Sequence, residues 1–158
     1  MRRTIRLLAP LCLLLAATLL AACAGGPKRV INPPRASVQE LAVQNDGQWR
    51  LSMRLQNFSN VPTGFADVDA MLEVGGQAGF PVRLQPAIVV GPESADVAVL
   101  TLVPPAAAKT AVAAALAEGR SVRYRITGKI VTSDPKGSFR FEYDSALSPV
   151  PGLAGVMR

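Results

Sequence analysis

The chain has 158 residues, with 17 Lys and Arg, 11 Asp and Glu, no His and a formal net charge of +6. The usual Ser/His/Asp and Cys/His catalytic arrangements need an imidazole, so the composition excludes them. With two Cys and no His, neither a metal site nor a disulfide framework is expected.

Residues 1–22 have the layout of a secretory signal. Three arginines within the first six residues form a basic start, and an apolar run over 7–22 ends in Ala21 and Ala22. This run has 16 residues, whereas about 20 apolar residues are needed to span the hydrocarbon core of a bilayer. A cleaved signal peptide is therefore favoured over a retained transmembrane helix.

The sequence LAAC at residues 20–23 resembles the lipobox of bacterial lipoproteins. The resemblance implies cleavage between Ala22 and Cys23, a diacylglyceryl thioether on Cys23 and an acyl chain such as palmitate on the new amine. One acyl chain binds a membrane only weakly, whereas three would hold the protein firmly. Because Ala24 rather than Asp follows the cysteine, the outer membrane, facing the periplasm, is favoured over the inner membrane. The alternative is a plain signal peptide with an incidental cysteine.

Loss of residues 1–22 would leave 136 residues, a length that suits one domain with its own hydrophobic core. Three arginines leave with the signal, so the net charge falls to +3, from 14 basic and 11 acidic residues. The remaining basic residues are scattered along the chain, and nucleic acid is therefore not an expected partner. Apart from the covalent lipid on Cys23, no cofactor is expected.

Residues 23–34, CAGGPKRVINPP, contain two Gly and three Pro and show no hydrophobic periodicity. This composition predicts a flexible tether between the lipid and the folded part of the chain. We place the folded domain over residues 35–152 and a C-terminal tail over residues 153–158.

Alternation of apolar and polar residues predicts half-buried strands through most of the domain. The clearest pattern lies at residues 48–57, where one face is formed by Trp49, Leu51, Met53 and Leu55. Trp49 is therefore expected in the core rather than in a ligand site.

Similar patterns predict further strands at residues 37–44, 66–74, 80–90, 94–103, 122–132 and 138–144. The run over 94–103 is apolar on both faces, which predicts a central strand. The run over 138–144 places Phe139, Phe141 and Tyr143 on one face, which is expected to be buried.

The strand at 48–57 is followed by a turn that contains Asn57, Asn60 and Pro62. The two Asn side chains are expected to bond nearby backbone groups, and Pro62 cannot continue a central strand. We therefore interpret this turn as structural.

The sequence DPKG at residues 134–137 predicts a type I turn between the last two strands. Pairing of residues 132 and 139 would place Lys129 opposite Glu142 and Gly128 opposite Tyr143. The charge pair and the aromatic cover over the glycine both favour this register.

A short helix near residues 105–118 interrupts the strands. Pro105 suits a first helical position, alanines follow it, and Gly119 suits a terminator. The helix is too short to be stable alone, so Val112 and Leu116 are expected to pack on the sheets. About seven strands with one inserted helix predict a mainly β fold, an immunoglobulin- or fibronectin-like antiparallel β-sandwich.

Two stretches, WRLSMRLQNFSNVP at 49–62 and YRITGKI at 124–130, resemble the late embryogenesis abundant (LEA) type 2 family, also called the water stress and hypersensitive response (WHy) domain. The helix and the closing FEYDSALSPVPG at 141–152 continue the resemblance. Where the family often shows Asn-Pro-Asn, this chain has NFSNVP at 57–62. The resemblance implies protection of membranes or proteins during desiccation, cold or osmotic stress.

Two residue pairs have spacings found in enzymes. Asp67 and Asp69 share one strand face, as paired glycosidase carboxylates might, but a solvated face explains them better. Ser133 and Lys136 match the Ser-x-x-Lys spacing of penicillin-binding enzymes, but Pro135 indicates a hairpin tip rather than a buried helix start. No catalytic or metal-binding residue is therefore predicted.

The sequence predicts a lipid-anchored envelope protein that protects rather than catalyses. Two alternatives stay open: a module that binds an apolar ligand such as a lipid, and an adaptor for envelope assembly that pairs through a sheet edge. Expected partners are the membrane, through the lipid on Cys23, and client proteins or lipid. The oligomeric state is not predicted.

Overall fold

The structure is a computed structural model and describes residues 28–158. This part of the chain forms nine strands and one helix: β1 (Arg35–Val43), β2 (Trp49–Gln56), β3 (Thr63–Val74), β4 (Phe80–Leu84), β5 (Ile88–Val90), β6 (Ala95–Leu102), α1 (Ala106–Ala117), β7 (Val122–Ser133), β8 (Lys136–Leu147) and β9 (Val156–Met157).

The strands form two antiparallel sheets. The first sheet has the order β6-β2-β1-β9, and the second has the order β4-β3-β7-β8, with β5 paired to the same edge of β3 as β4. The predicted fold class, a mainly β antiparallel sandwich with one short helix, is confirmed.

The inward faces of both sheets form one core. The predicted inward residues of β2 are all buried, and the Trp49 ring packs edge-on against Phe80 with centroids 6.1 Å apart. The helix α1 contributes its buried residues Ala108, Val112 and Ala115, and Gly119 follows it at φ 63°. A helix of 12 residues is marginal alone, so this packing stabilises it.

The strand predicted as central is an edge strand. Among the strands of residues 28–158, β6 pairs only with β2, and its outward residues Val97 and Val99 are exposed. The two-sided apolar pattern therefore does not come from burial on both faces. The predicted single strand at 80–90 is also divided into β4 and β5, and Ala87 between them has φ 48°.

The β7–β8 hairpin is tighter than predicted. Ser133 pairs with Lys136, so only Asp134 and Pro135 form its loop. The register differs from the predicted one by two residues: Lys129 lies opposite Arg140 and Gly128 lies opposite Phe141. Because side chains alternate with a period of two, the shift keeps each side chain on its predicted face.

The inward residues of β8 are only partly buried. Phe139, Phe141 and Tyr143 share a face as predicted, but each keeps intermediate exposure, because β8 lies at the edge of its sheet. By contrast, the residues predicted as a C-terminal tail contain β9. Met157 is fully buried, and the Arg158 guanidinium lies 2.7 Å from the Glu40 carboxylate.

The strand directions give the sandwich two distinct ends. One end, here the Asn57 end, consists of residues 28–34, 57–62, 91–94 and 134–135. The opposite end, here the α1 end, consists of residues 44–48, 75–79, 103–121 and 148–155.

Candidate functional site

The Asn57 side chain is the centre of the Asn57 end. It is 1% exposed, and its amide group donates to three carbonyl oxygens: Val61 at 2.8 Å, Gly91 at 2.8 Å and Val90 at 3.2 Å. Its own oxygen accepts from the Ser59 N–H at 2.9 Å and the Thr63 hydroxyl at 3.1 Å. The bonds to Val61 and Ser59 are the local backbone bonds that the sequence predicted. The bonds to Val90 and Gly91, which join the turn after β2 to β5, were not predicted.

Residues 28–34 are docked on this turn. The Val30 N–H donates to Asn60 Oδ1 at 2.8 Å, and Asn60 Nδ2 donates to the Lys28 carbonyl at 2.8 Å. The Asn60 side chain therefore binds the backbone of this segment on both sides of Arg29.

A second group of bonds holds the same segment nearer to β1. The Asn32 N–H donates to the Ser59 hydroxyl at 3.0 Å, and Asn32 Nδ2 donates to the Phe58 carbonyl at 2.7 Å. Residues 28–34, here the docked segment, have no regular secondary structure but are fixed by these bonds. The sequence predicted a flexible tether here, and the structure corrects that prediction for residues 28–34.

The exposed side chains of the docked segment are cationic and then aliphatic. Lys28 and Arg29 precede Val30 and Ile31, which are 43% and 41% exposed. The Arg29 guanidinium lies 3.6 Å from the Asp134 carboxylate, and both side chains are largely exposed. An ion pair in that setting contributes little to stability.

Tyr124 joins the two sheets near the middle of the sandwich. Its hydroxyl accepts from the Val38 N–H at 3.2 Å and donates to the Val38 carbonyl at 3.1 Å, next to the irregular register between Val38 and Glu40 in β1. Burial raises the pKa of Tyr124 to about 12. The hydroxyl therefore bonds both backbone groups of Val38, beside the point where the ladder is irregular.

Asp67 and Asp69 lie on the outer face of the second sheet, as predicted. Asp69 is paired with Arg83 at 3.1 Å, and Asp67 accepts from the Gln85 amide at 2.9 Å. Both line a depression of about 620 Å³ that is open to solvent. Asp69 faces the cationic Arg83 guanidinium, and Asp67 faces the Gln85 amide, so the two carboxylates do not face each other. This arrangement favours the solvated-face interpretation.

Ser133 and Lys136 are the last pair of the β7–β8 hairpin, and both side chains are exposed. This geometry does not provide the buried helix start that Ser-x-x-Lys chemistry uses. In residues 28–158, no group of three or more Asp, Glu, Cys or His side chains could hold a metal ion.

An apolar depression at the α1 end is the candidate site for the apolar ligand of the ligand-binding alternative. It has a volume of about 620 Å³, lies between the end of α1 and the C-terminal residues, and is lined by Leu116, Pro149, Val150 and Leu153 among others. It is a shallow surface groove, whereas sites for small apolar ligands are usually concave and bury most of the ligand.

The predicted lipidation site, Cys23, and the predicted cleavage site after Ala22 lie outside the described residues. Between residues 28 and 158, no helix is both long enough and apolar enough to span a bilayer.

No protein-family model matches the chain, and a comparison with curated proteins finds no match. Three similar solved structures are a protein from Archaeoglobus fulgidus, a protein from Arabidopsis thaliana and a putative late embryogenesis abundant protein. The first is 17% identical and covers 77% of this chain and 98% of its own, with a TM-score of 0.41. The second is 10% identical and covers 79% of this chain and 82% of its own, with a TM-score of 0.47. The third is 10% identical and covers 82% of this chain and 74% of its own, with a TM-score of 0.43.

Proposed function

We propose that this chain is a lipid-anchored, non-enzymatic envelope protein whose LEA type 2 domain protects membranes or other proteins during desiccation, cold or osmotic stress. The observation that carries the anchoring is LAAC at residues 20–23, which follows the basic and apolar parts of a signal peptide. The anchor would place the domain at the outer membrane, facing the periplasm, because Ala24 follows Cys23.

The outer face of the second sheet supports a protective rather than a catalytic role. Arg125 lies between two carboxylates, at 2.7 Å from Asp144 and 3.7 Å from Glu142, and Asp69 pairs with Arg83. Charges of both signs, interspersed on a rigid sheet, keep a surface hydrated and disfavour self-association. Such a surface suits a protein that is concentrated as water is lost.

The proposed function is tested with the full chain, produced with its lipid and reconstituted into dye-loaded phospholipid vesicles. The vesicles are dried or frozen, then rehydrated, and dye leakage is measured. We expect less leakage with the lipidated protein than with protein-free vesicles. Equal leakage from both would show that the chain does not protect membranes.

Two variants separate the parts of the proposal. Cys23→Ser should incorporate no labelled palmitate and should protect vesicles less, since it stays in solution. Trp49→Ala should keep the lipid but lose protection, because the core residue is fully buried. Protection by an unfolded, lipidated Trp49→Ala protein would show that the folded domain is not the protective part.

The edge strand β6 favours the adaptor alternative over the ligand-binding one. Val99 is 50% exposed on β6, whose second edge is unpaired within residues 28–158. Exposed strand edges pair readily with other chains. If a partner adds a strand there, Val99→Lys should abolish its co-purification while leaving vesicle protection unchanged.

A further inference from the structure

We infer that the Asn57 end of the sandwich lies against the phospholipid bilayer, with the docked segment forming the contact and the α1 end pointing away. This inference rests on the proposed lipidation of Cys23. It adds an orientation, a contact surface and a residue, Asn60, that sets the distance between the domain and the membrane.

The first argument is the short covalent reach of the anchor. Lys28 is the fifth residue after Cys23, and an extended chain spans at most about 3.6 Å per residue, or about 18 Å over these five steps. Because Asn60 binds the backbone at Lys28 and Val30, this reach begins at the surface of the sandwich itself. The Asn57 end therefore stays within about 18 Å of the lipid-bearing cysteine.

The length of the sandwich keeps its other end out of reach. β3 and β7 each have 12 residues and run between the two ends. At about 3.3 Å per residue these strands are about 40 Å long. An upright domain thus holds α1 far from the bilayer, while a domain on its side would bring one sheet face to it.

Surface chemistry disfavours a domain that lies on its second sheet. Lying on the second sheet would bring Arg125, Asp144 and their neighbours against the bilayer, which would strip water from charged groups. The docked segment instead presents two cations next to the anchor, followed by exposed Val30 and Ile31. Cations at lipid phosphates and aliphatic side chains at the acyl boundary are the composition of an interfacial contact.

The orientation is tested with single cysteines in the lipidated full chain, which has no free thiol once Cys12 is removed with the signal and Cys23 is acylated. Exposed positions are chosen at the Asn57 end (Ile31→Cys and Pro92→Cys), on the two sheet faces (Met71→Cys and Val99→Cys) and on α1 (Ala113→Cys). Each carries a fluorophore, in vesicles with or without a quencher attached to the lipid headgroup.

We expect several-fold stronger quenching at Ile31 and Pro92 than at Met71, Val99 and Ala113. Strong quenching at Met71 or Val99 would mean that the domain lies on a face, and equal quenching at all five sites would mean free tumbling. Either result overturns the inference. Unfolding midpoints and mass spectrometry of the lipid on Cys23 are recorded for each variant. A chain without lipid contradicts the lipidation proposal, whereas a lipidated chain without the quenching pattern contradicts only the orientation.

Asn60→Ala tests the role of the docked segment directly. It removes both Asn60 side-chain bonds and leaves one backbone bond, from the Asn60 N–H to the Val30 carbonyl at 3.3 Å. Release back to Asn32, which keeps its own bonds to Ser59 and Phe58, would extend the reach from five residues to nine, or about 32 Å. Quenching should then fall at Pro92, which belongs to the sandwich, but persist at Ile31, which belongs to the released segment. Asn45→Ala, an exposed asparagine at the α1 end, is the matched control and should leave both values unchanged. Unchanged quenching at Pro92 in Asn60→Ala would show that Asn60 does not set the distance.

Discussion

Single polar side chains fix the irregular parts of this sandwich. Asn57 satisfies five neighbouring polar groups, and the Tyr124 hydroxyl satisfies the backbone of Val38 across the core. The structural role of Asn57 follows from sequence, because an asparagine that ends a strand commonly bonds local backbone. The role of Tyr124 does not, because its partner is 86 residues away and depends on an irregular register in β1.

Tyr124→Phe should destabilise the domain by about 1 to 3 kcal/mol, the usual cost of leaving buried polar groups unpaired. Both the N–H and the carbonyl of Val38 lose their partner in this variant. Tyr143→Phe removes a hydroxyl from the neighbouring ring, 6.3 Å away, and should change stability by less than about 0.5 kcal/mol. Urea unfolding at neutral pH compares the two, and equal losses would contradict this role of Tyr124.

The same hydroxyl should make stability depend on pH in the alkaline range. The pKa of Tyr124 is raised from 10.0 to about 12, so the folded state keeps a proton that the unfolded state releases. The free energy of unfolding should therefore fall as pH rises from about 10 to about 12, in proportion to the protons released on unfolding. Tyr124→Phe lacks this group, so its urea midpoint should fall less over that range. Parallel curves for the two proteins would rule out the effect.

At the scale of elements, local patterns predict the strands but not their neighbours. The inward faces of β2, β3 and β7 follow from alternation, which is a property of each strand alone. The edge position of β6 and the pairing of β9 with β1 depend on contacts between distant residues. Apolar residues on both faces of β6 predict a strand that is buried on both sides, yet Val97 and Val99 face solvent.

The contact between β3 and β7 depends on Gly128. A Cβ at this position would lie 2.3 Å from the Asp69 carbonyl oxygen and 2.7 Å from the Ala70 Cα. Both atoms belong to the backbone and cannot easily move. Gly128→Ala should therefore lower the free energy of unfolding by about 1 to 3 kcal/mol or more, the loss typical of an overpacked site. At Gly79, a Cβ would meet the flexible Glu73 side chain at 3.2 Å, so Gly79→Ala should cost clearly less. Thermal unfolding ranks the two variants, and the reverse order would contradict the close approach.

The candidate site was only partly predictable at this scale. Pro and Gly in residues 23–34 indicate a chain without periodic structure, and residues 28–34 indeed lack helix or strand. Composition does not report that Asn60 and Asn32 hold this segment through bonds spanning about 30 residues. The asparagines themselves were the available signal, since their side chains can replace backbone partners at an irregular edge.

At the scale of the whole molecule, the core must provide stability without a disulfide among residues 28–158, which contain no Cys. Trp49→Ala should cost about 3 to 5 kcal/mol out of the roughly 5 to 15 kcal/mol of a typical domain, because the ring is fully buried. Phe141→Ala should cost less than Trp49→Ala, since Phe141 is only partly buried at the edge strand β8. Urea unfolding of the variants measures both losses.

Asp67→Asn with Asp69→Asn is the surface counterpart of the core variants. Each substitution should change stability by about 0.5 kcal/mol or less, because both side chains lie on the solvated outer face. Vesicle protection should also be unchanged. If the double variant folded normally but lost protection, the aspartates would be functional and the solvated-face interpretation would be wrong.

Under the proposed lipidation of Cys23, the docked segment also determines how the fold responds to tension between the membrane and a partner bound to the domain. Force enters at Lys28 and reaches the bonds of Asn60 and Asn32 before it reaches β1. These few bonds can open one after another, whereas β1 is held between β2 and β9 and must slide past both ladders at once. Under load the docked segment would therefore detach first, which would lengthen the connection while the two sheets stay folded.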